Sequence, residues 1–297
     1  MDHSLSTFLC GCAPFHDLIF FAKSLDELDA EDEPNSTFLF IDGDKTARFA
    51  TSMAWPAIAM ATVKPAGGER VVCAIGRTGE LWEGAPNTAT HVHGDIGIGD
   101  GSWRNMTVID GDIYACGMDR TAAVRAGPLE WRDISAPPAE DDTRVVGFES
   151  IDGFSSEDLY AVGWQGEIWQ RKGTKWRQID SPISTVLTAV CCASDGVVYA
   201  VGQGGTMLGG RDDRWSVIHT GLTDNLQDVR DHDGKIYVVT DFDIYQLANG
   251  ALEPVALADE TDEPVTCLHL LKAADGLISL GQKDVFTLRA GKWQRVV

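Results

Sequence analysis

The chain has 297 residues, 44% of them hydrophobic, with 31 glycines and a formal net charge of −21 from 24 Lys+Arg against 45 Asp+Glu. Such a charge repels nucleic acid and anionic membrane, and no basic run offsets it, so neither is an expected partner. No apolar run approaches the roughly 18 residues that span a bilayer, and glycine at this level without a low-complexity period points to many short strands joined by tight turns.

The first 55 residues begin without the basic and apolar regions of a secretory leader. Four strand-like pieces then follow: STFLCGCA, DLIFFAKS, STFLFIDG and KTARFATS. The acidic run from Asp26 to Pro34 separates the second from the third and reads as a solvated loop or short helix.

From residue 56 the chain repeats itself. The clearest copies are DLYAVGWQGEIWQRKGTKWRQIDSP (158–182) and VVYAVGQGGTMLGGRDDRWSVIHTG (197–221). In each, an apolar strand ends in Gly, a tight turn follows, then a second strand, a second turn, and a Trp opening a third strand. The same Gly recurs at Gly76, Gly117, Gly163, Gly202 and Gly281, with Thr240 in its place in one degenerate copy. A further strand precedes it in every unit: 56–64, 103–110, 144–152, 187–194, 226–233 and 264–272. Units of about 40–50 residues with four strands apiece are the signature of propeller blades. The sequence therefore predicts an all-β protein, a seven-bladed β-propeller of four-stranded antiparallel blades forming one domain. The blades are expected near 1–55, 56–102, 103–143, 144–186, 187–225, 226–263 and 264–297, the first being irregular.

Recurring residues are assigned to architecture. Asp110-Gly111, Asp152-Gly153, Asp195-Gly196, Asp233-Gly234 and Asp275-Gly276 read as hairpin turns. Trp131, Trp176, Trp215 and Trp293, with Tyr114, Tyr160, Tyr199 and Tyr237, occupy repeat slots and are expected to pack one sheet on the next.

The pattern Y-A-V-G-x-x-G-x-I-x-x-x-x-G-x-x-W from Tyr160 to Trp176 resembles the bacterial neuraminidase repeat superfamily. It is most similar to the non-enzymatic branch of photosystem II assembly-factor-like propellers. The parent repeat's Asp box, S-x-D-x-G-x-x-W, keeps only Gly173 and Trp176 here, with Arg171 in the Asp slot. Sialidases of similar architecture use an arginine triad and a Tyr–Glu pair. Arg77, Arg120, Arg144 and Arg230 lie near strand ends here, outside any sialidase motif, so the resemblance implies architecture and no catalytic residues. The alternative kept beside it is a sialidase-like hydrolase or a lectin.

No metal or cofactor is expected. Cys10, Cys12 and His16 match no common zinc spacing, and His91 and His93, near Asp95 and Asp100, read as an exposed stretch between blades. Seven cysteines, mostly within apolar runs, read as reduced thiols of a cytoplasmic protein.

The informative feature is where acids fall. In a propeller one face carries the links between blades and the turns after the repeat Gly. The links hold Asp95, Asp100, Glu140, Asp141, Asp142, Asp180, Asp224, Asp259, Glu260, Asp262 and Glu263, and the turns hold Asp119, Asp241 and Asp284. Arg77, Arg120, Lys283 and the aromatic Trp164 are interspersed. A one-signed rim speeds capture of an oppositely charged partner. The expected function is non-catalytic binding of a basic protein, either as an immunity protein that occludes an effector or toxin or as an assembly scaffold. The expected partner-binding residues are Trp164, Asp119, Arg120, Glu140, Asp141, Asp142, Asp259, Glu260, Asp262 and Glu263.

Overall fold

The computed structural model describes residues 5–43, 45–49, 52–86, 91–99, 101–138 and 145–297. Seven four-stranded antiparallel sheets follow one another along the chain, each pairing its strands in sequence order. They span 6–48, 57–95, 103–133, 148–179, 187–217, 228–254 and 269–295, blades 1 to 7. The inner strands are Ser6–Phe15, Ala57–Val63, Trp103–Ile109, Phe148–Ser155, Leu187–Cys192, Asp228–His232 and His269–Ala273. Each lies beside the next, and the first also lies beside the last, closing the ring. The chain folds as a seven-bladed β-propeller.

Seven hydrophobic clusters hold the ring, each shared by two adjacent blades. A single twisted sheet cannot bury both faces alone, so each supplies half of two cores. The repeat aromatics form some of these seams. Trp215 of blade 5 lies 6.2 Å from Tyr160 of blade 4, and Trp293 of blade 7 lies 5.9 Å from Tyr237 of blade 6. Blade 2 has no such Trp in its outer strand, yet Trp82 fills the seam against Phe38 and Phe49 of blade 1.

The repeat Gly has a steric cause. Gly163 and Gly202 are extended, at φ 177° and −170°, which any residue can adopt. A Cβ there would run into the carbonyl oxygen of Gly147 or Val186, where the incoming link crosses the strand end.

Not every Asp-Gly pair is a turn. Asp110-Gly111 and Asp233-Gly234 have positive φ at both residues, as a two-residue hairpin requires, and Gly196 also has positive φ. Asp152 instead lies within an inner strand, where its carboxylate accepts the Cys192 N–H of the next blade at 2.8 Å. Asp275 does sit in a turn, between the paired Ala273 and Gly276, and there accepts the backbone N–H of His16 at 2.7 Å and lies 2.8 Å from its ring nitrogen. The last inner strand starts five residues later than the pattern predicts, at His269. Cys267 donates its N–H to the Asp241 carbonyl of blade 6, which draws that link out of the ladder.

Closure between blades 1 and 7 is carried by packing of Phe8, Ile19, Phe21 and Leu39 against Leu271, Ile278, Leu280 and Val285. The Phe8 N–H donates to the Gln282 carbonyl across this seam. At the rim, Lys283 Nζ lies 2.7 Å from Asp26 Oδ2, and the Lys283 hydrogen bond holds the Asp26 carboxyl below its ordinary range. A carboxylate depressed by folding stabilises above its unfolded pKa of about 4, and that contribution disappears as pH falls through the folded value. Asp26→Asn is therefore expected to lower the melting temperature at neutral pH by a margin that shrinks below about pH 4. A margin that stays constant in a pH series of thermal melts would assign Asp26 no part in closure.

Candidate functional site: the acidic loop face

Antiparallel order places the links between blades, and the turns joining second to third strands, at one end of the ring. The helix Asp26–Ala30 and the acids through Glu33 lie in such a turn, between the strands Leu18–Leu25 and Thr37–Asp42. They join the same end as Asp259–Glu263, an addition to the predicted rim.

Carboxylates occupy both ends of the ring, so the asymmetry comes from the bases. Among the described residues, the turns and links of the loop face contain only Arg77, Arg120 and Lys283 as basic residues. Exposed Lys45, Lys64, Lys172, Lys175, Arg214, Lys235, Arg289 and Lys292 sit at or beside the turns of the opposite end. There they offset acids such as Asp212 and Asp213, which engage Lys172 and Arg177. Among the described residues, the loop-face turns and links thus carry acids with few bases to offset them.

The structure sorts the predicted site residues. Asp119, Asp259, Glu260 and Glu263 are exposed on the loop face. Hydrogen bonds from the Thr261 N–H and hydroxyl hold the Asp259 carboxyl below its ordinary range, so it stays charged. Asp262 is half-buried, with Arg295 Nε at 2.6 Å. Glu140, Asp141 and Asp142 lie outside the described residues, as do Asp100 and Arg144.

Arg120 is a correction. It is only 4% exposed and forms a two-pronged pair with Glu167 at 2.9 and 2.5 Å. It also donates to the Pro137 carbonyl and lies over the Trp169 ring. Its charge is used in binding blade 3 to blade 4, because the repeat turn tucks it under the incoming link. Trp164 is half-buried, and its indole N–H is taken by Glu149 at 2.5 Å, which Arg104 also pairs with at 3.2 Å. Asp119 and Trp164 share the blade 3–4 sector, whereas Asp259–Glu263 lie across the ring before blade 7.

The residues missed from sequence are apolar. Phe242 is 61% exposed, Val265 59% and Leu5 75%, all on the loop face. The Cys267–Asp241 backbone bond links the turn carrying Phe242 to the segment carrying Val265. Val265 donates to Asp284, and Lys283 reaches the Ser6 carbonyl beside Leu5. These contacts connect a continuous arc over blades 6, 7 and 1, with carboxylates at Asp241, Asp259–Glu263 and Asp26–Glu33.

Among the described residues, Asp152, Arg230 and Lys272 line one cavity at the inner strands together with Cys191 and Cys192, but the arginines singled out from the sequence do not converge there as a triad. Arg77, Arg120 and Arg230 belong to blades 2, 3 and 6, and Arg230 is held by Asp228 on its own inner strand. No cluster of three His, Cys, Asp or Glu side chains suited to a metal occurs among them. Cys10 and Cys12 are buried thiols pushed up by burial, while His16 turns to Asp275. His91 and His93 stack edge to face on an exposed strand. No described helix is long and apolar enough to cross a membrane.

The chain is thus a seven-bladed propeller whose loop-face turns and links, among the described residues, carry many acids and few bases. Solved structures agree on the fold. The chain superposes on YCF48 bound to D1 peptide with a TM-score of 0.68 at 12% identity, covering 95% of this chain and 91% of that one. It matches the WD40 propeller domain of Doa1 with a TM-score of 0.68 at 10% identity, covering 98% and 92%. The computationally designed Ika8 protein gives 0.63 at 8% identity, covering 99% and 86%. No family model matches the chain. The chain is, however, 44% identical over 208 residues to the immune protein Tsi7 of Pseudomonas aeruginosa, covering 68% of this chain and 67% of that protein. It belongs to the family of that immune protein.

Proposed function

We propose that this chain is an immunity protein that neutralises a toxic effector by binding it, without catalysis, through the acidic loop face. The family relationship to an immune protein carries the reading, and the fold supports it, since a rigid propeller rim is a surface for protein binding. The net charge of −21 and the scarcity of bases among the described loop-face turns and links favour a basic effector. All seven cysteines are free thiols, in keeping with action in the reducing cytoplasm. The degraded Asp box fits placement among non-enzymatic relatives of the neuraminidase repeat.

The test begins with the protein that co-purifies stoichiometrically with the full chain from its own cells. Expressed alone in a sensitive host, that protein should stop growth, and co-expression with this chain should restore it. A partner that is harmless, or whose toxicity persists beside the chain, would overturn the proposal.

A further inference from the structure

Blade 6 departs from the repeat in two linked ways. Thr240 stands where the other blades of the repeat have Gly, and two residues on, the turn presents Phe242. The corresponding tips elsewhere are Thr78, Asp119, Gln165, Gly204 and Lys283. Each is polar or lacks a side chain. Thr240 is 2% exposed, and its hydroxyl oxygen accepts the N–H groups of Phe242 and Asp243 at 3.3 and 3.0 Å. The Thr240 N–H donates to the Asp243 carbonyl at 3.0 Å, closing the turn on itself. From below, the Asp241 carbonyl accepts Cys267 N–H at 2.7 Å, and its carboxylate accepts Gln227 Nε2 at 2.7 Å. The turn is pinned on both sides while its aromatic ring stands in solvent.

An exposed aromatic on a restrained backbone costs little entropy to immobilise, which is the property of an interface anchor. Exposed Val265 lies two residues before Cys267, whose N–H donates to the Asp241 carbonyl of this turn. Leu5 is exposed further along the same end, and Asp259, Glu260 and Glu263 are exposed in the link that carries Val265. Partner contact would remove these apolar groups from water and leave the acids at the edge, the arrangement of an interface core and rim.

We infer that Phe242 is the anchor of the effector interface, and that the arc over blades 6, 7 and 1 docks on a surface with an apolar pocket bordered by Lys and Arg. This rests on the immunity reading and specifies which sector of the face performs it. The Trp164 sector also exposes Val145, at 53%, but its aromatic, Trp164, is half-buried and hydrogen-bonded.

The experiment titrates the co-purifying effector, inactivated by mutation, against the full-length chain and its variants by calorimetry. Phe242→Ala should weaken binding by about 30-fold or more, as expected of a hot spot. Thr240→Gly, which restores the residue of the other blades, should weaken it several-fold by releasing the turn. Val217→Ala, an exposed apolar residue on the outer strand of blade 5, should leave affinity unchanged. Phe242→Trp should retain binding, and the melting temperature of each variant checks the fold. Wild-type affinity in a folded Phe242→Ala variant sinks the inference and leaves the immunity reading standing. If the wild-type chain itself fails to bind, both fall.

Discussion

Glu167→Ala is expected to destabilise the propeller by about 3–5 kcal/mol, the cost of leaving a buried charge without its partner. The substitution strips Arg120 of both carboxylate contacts while the guanidinium remains 4% exposed beneath the link to blade 4. It also orphans the Trp169 indole N–H, which donates to Glu167 at 3.1 Å. Against a whole-domain stability of about 5–15 kcal/mol this is a large fraction. Urea denaturation should show a midpoint shifted far down, with the slope little changed. Replacing both partners, as in Arg120→Met with Glu167→Met, should cost less than Glu167→Ala, because no charge is then stranded. A Glu167→Ala variant that unfolds at the wild-type midpoint would show the pair to be solvated and remove Arg120 from the blade 3–4 joint.

The second large effect concerns capture of the effector. Reversing Asp259, Glu260 and Glu263 to Lys should lower the association rate constant about 10- to 100-fold at low ionic strength. The dissociation rate should change much less, since exposed rim charges act mainly on encounter. At about 1 M salt the Debye length is about 3 Å, and the variant should associate as fast as wild type. Asp262 is left intact because it holds Arg295. Stopped-flow association over a salt series is the measurement. The control is Lys172→Glu with Lys175→Glu at the opposite end, which should not slow capture. Equal association rates for wild type and the triple variant would remove electrostatic steering by this rim, whatever the final affinity.

The two effects draw on different parts of the chain's charge. Arg120–Glu167 spends two opposite charges on joining blades, so neither reaches a partner. The 259–263 link has acids whose local partners are mostly their own backbone or solvent, so its field extends outward. Acids at the same end of the ring thus divide into joint and surface according to whether they are buried against a basic partner, as Glu167 is, or exposed, as Asp259, Glu260 and Glu263 are.

Much of this was open to inspection in the repeat. The recurrence of Gly163 and Gly202, the strand preceding each, and the Trp opening the outer strand together give blade number and strand order. From these follows which loops share an end. The repeat register also sorted most acids of Asp119, Asp224 and Asp259–Glu263 onto one face, and the same register would have put the acids of 26–33 there had the irregular first blade been aligned. Phe242 was obscured for the opposite reason. Reading Thr240 as a degenerate copy treated a departure from the pattern as noise, although a hydroxyl in place of Gly is the local signal of a pinned turn.

What the sequence determined by itself was the periodic part: short apolar strands, each at the length of one sheet, repeated until the ring had to close. Periodicity suffices because every blade meets the same physical requirement, two faces to bury against two neighbours. Tertiary structure alone decided which charges survive at the surface. Whether Arg120 faces solvent or Glu167, whether Asp152 turns a hairpin or bridges to Cys192, and whether Trp164 stands free or donates to Glu149 depend on contacts between residues far apart in the chain. Burial and pairing are set there, by the distance between chain segments that no local spacing encodes.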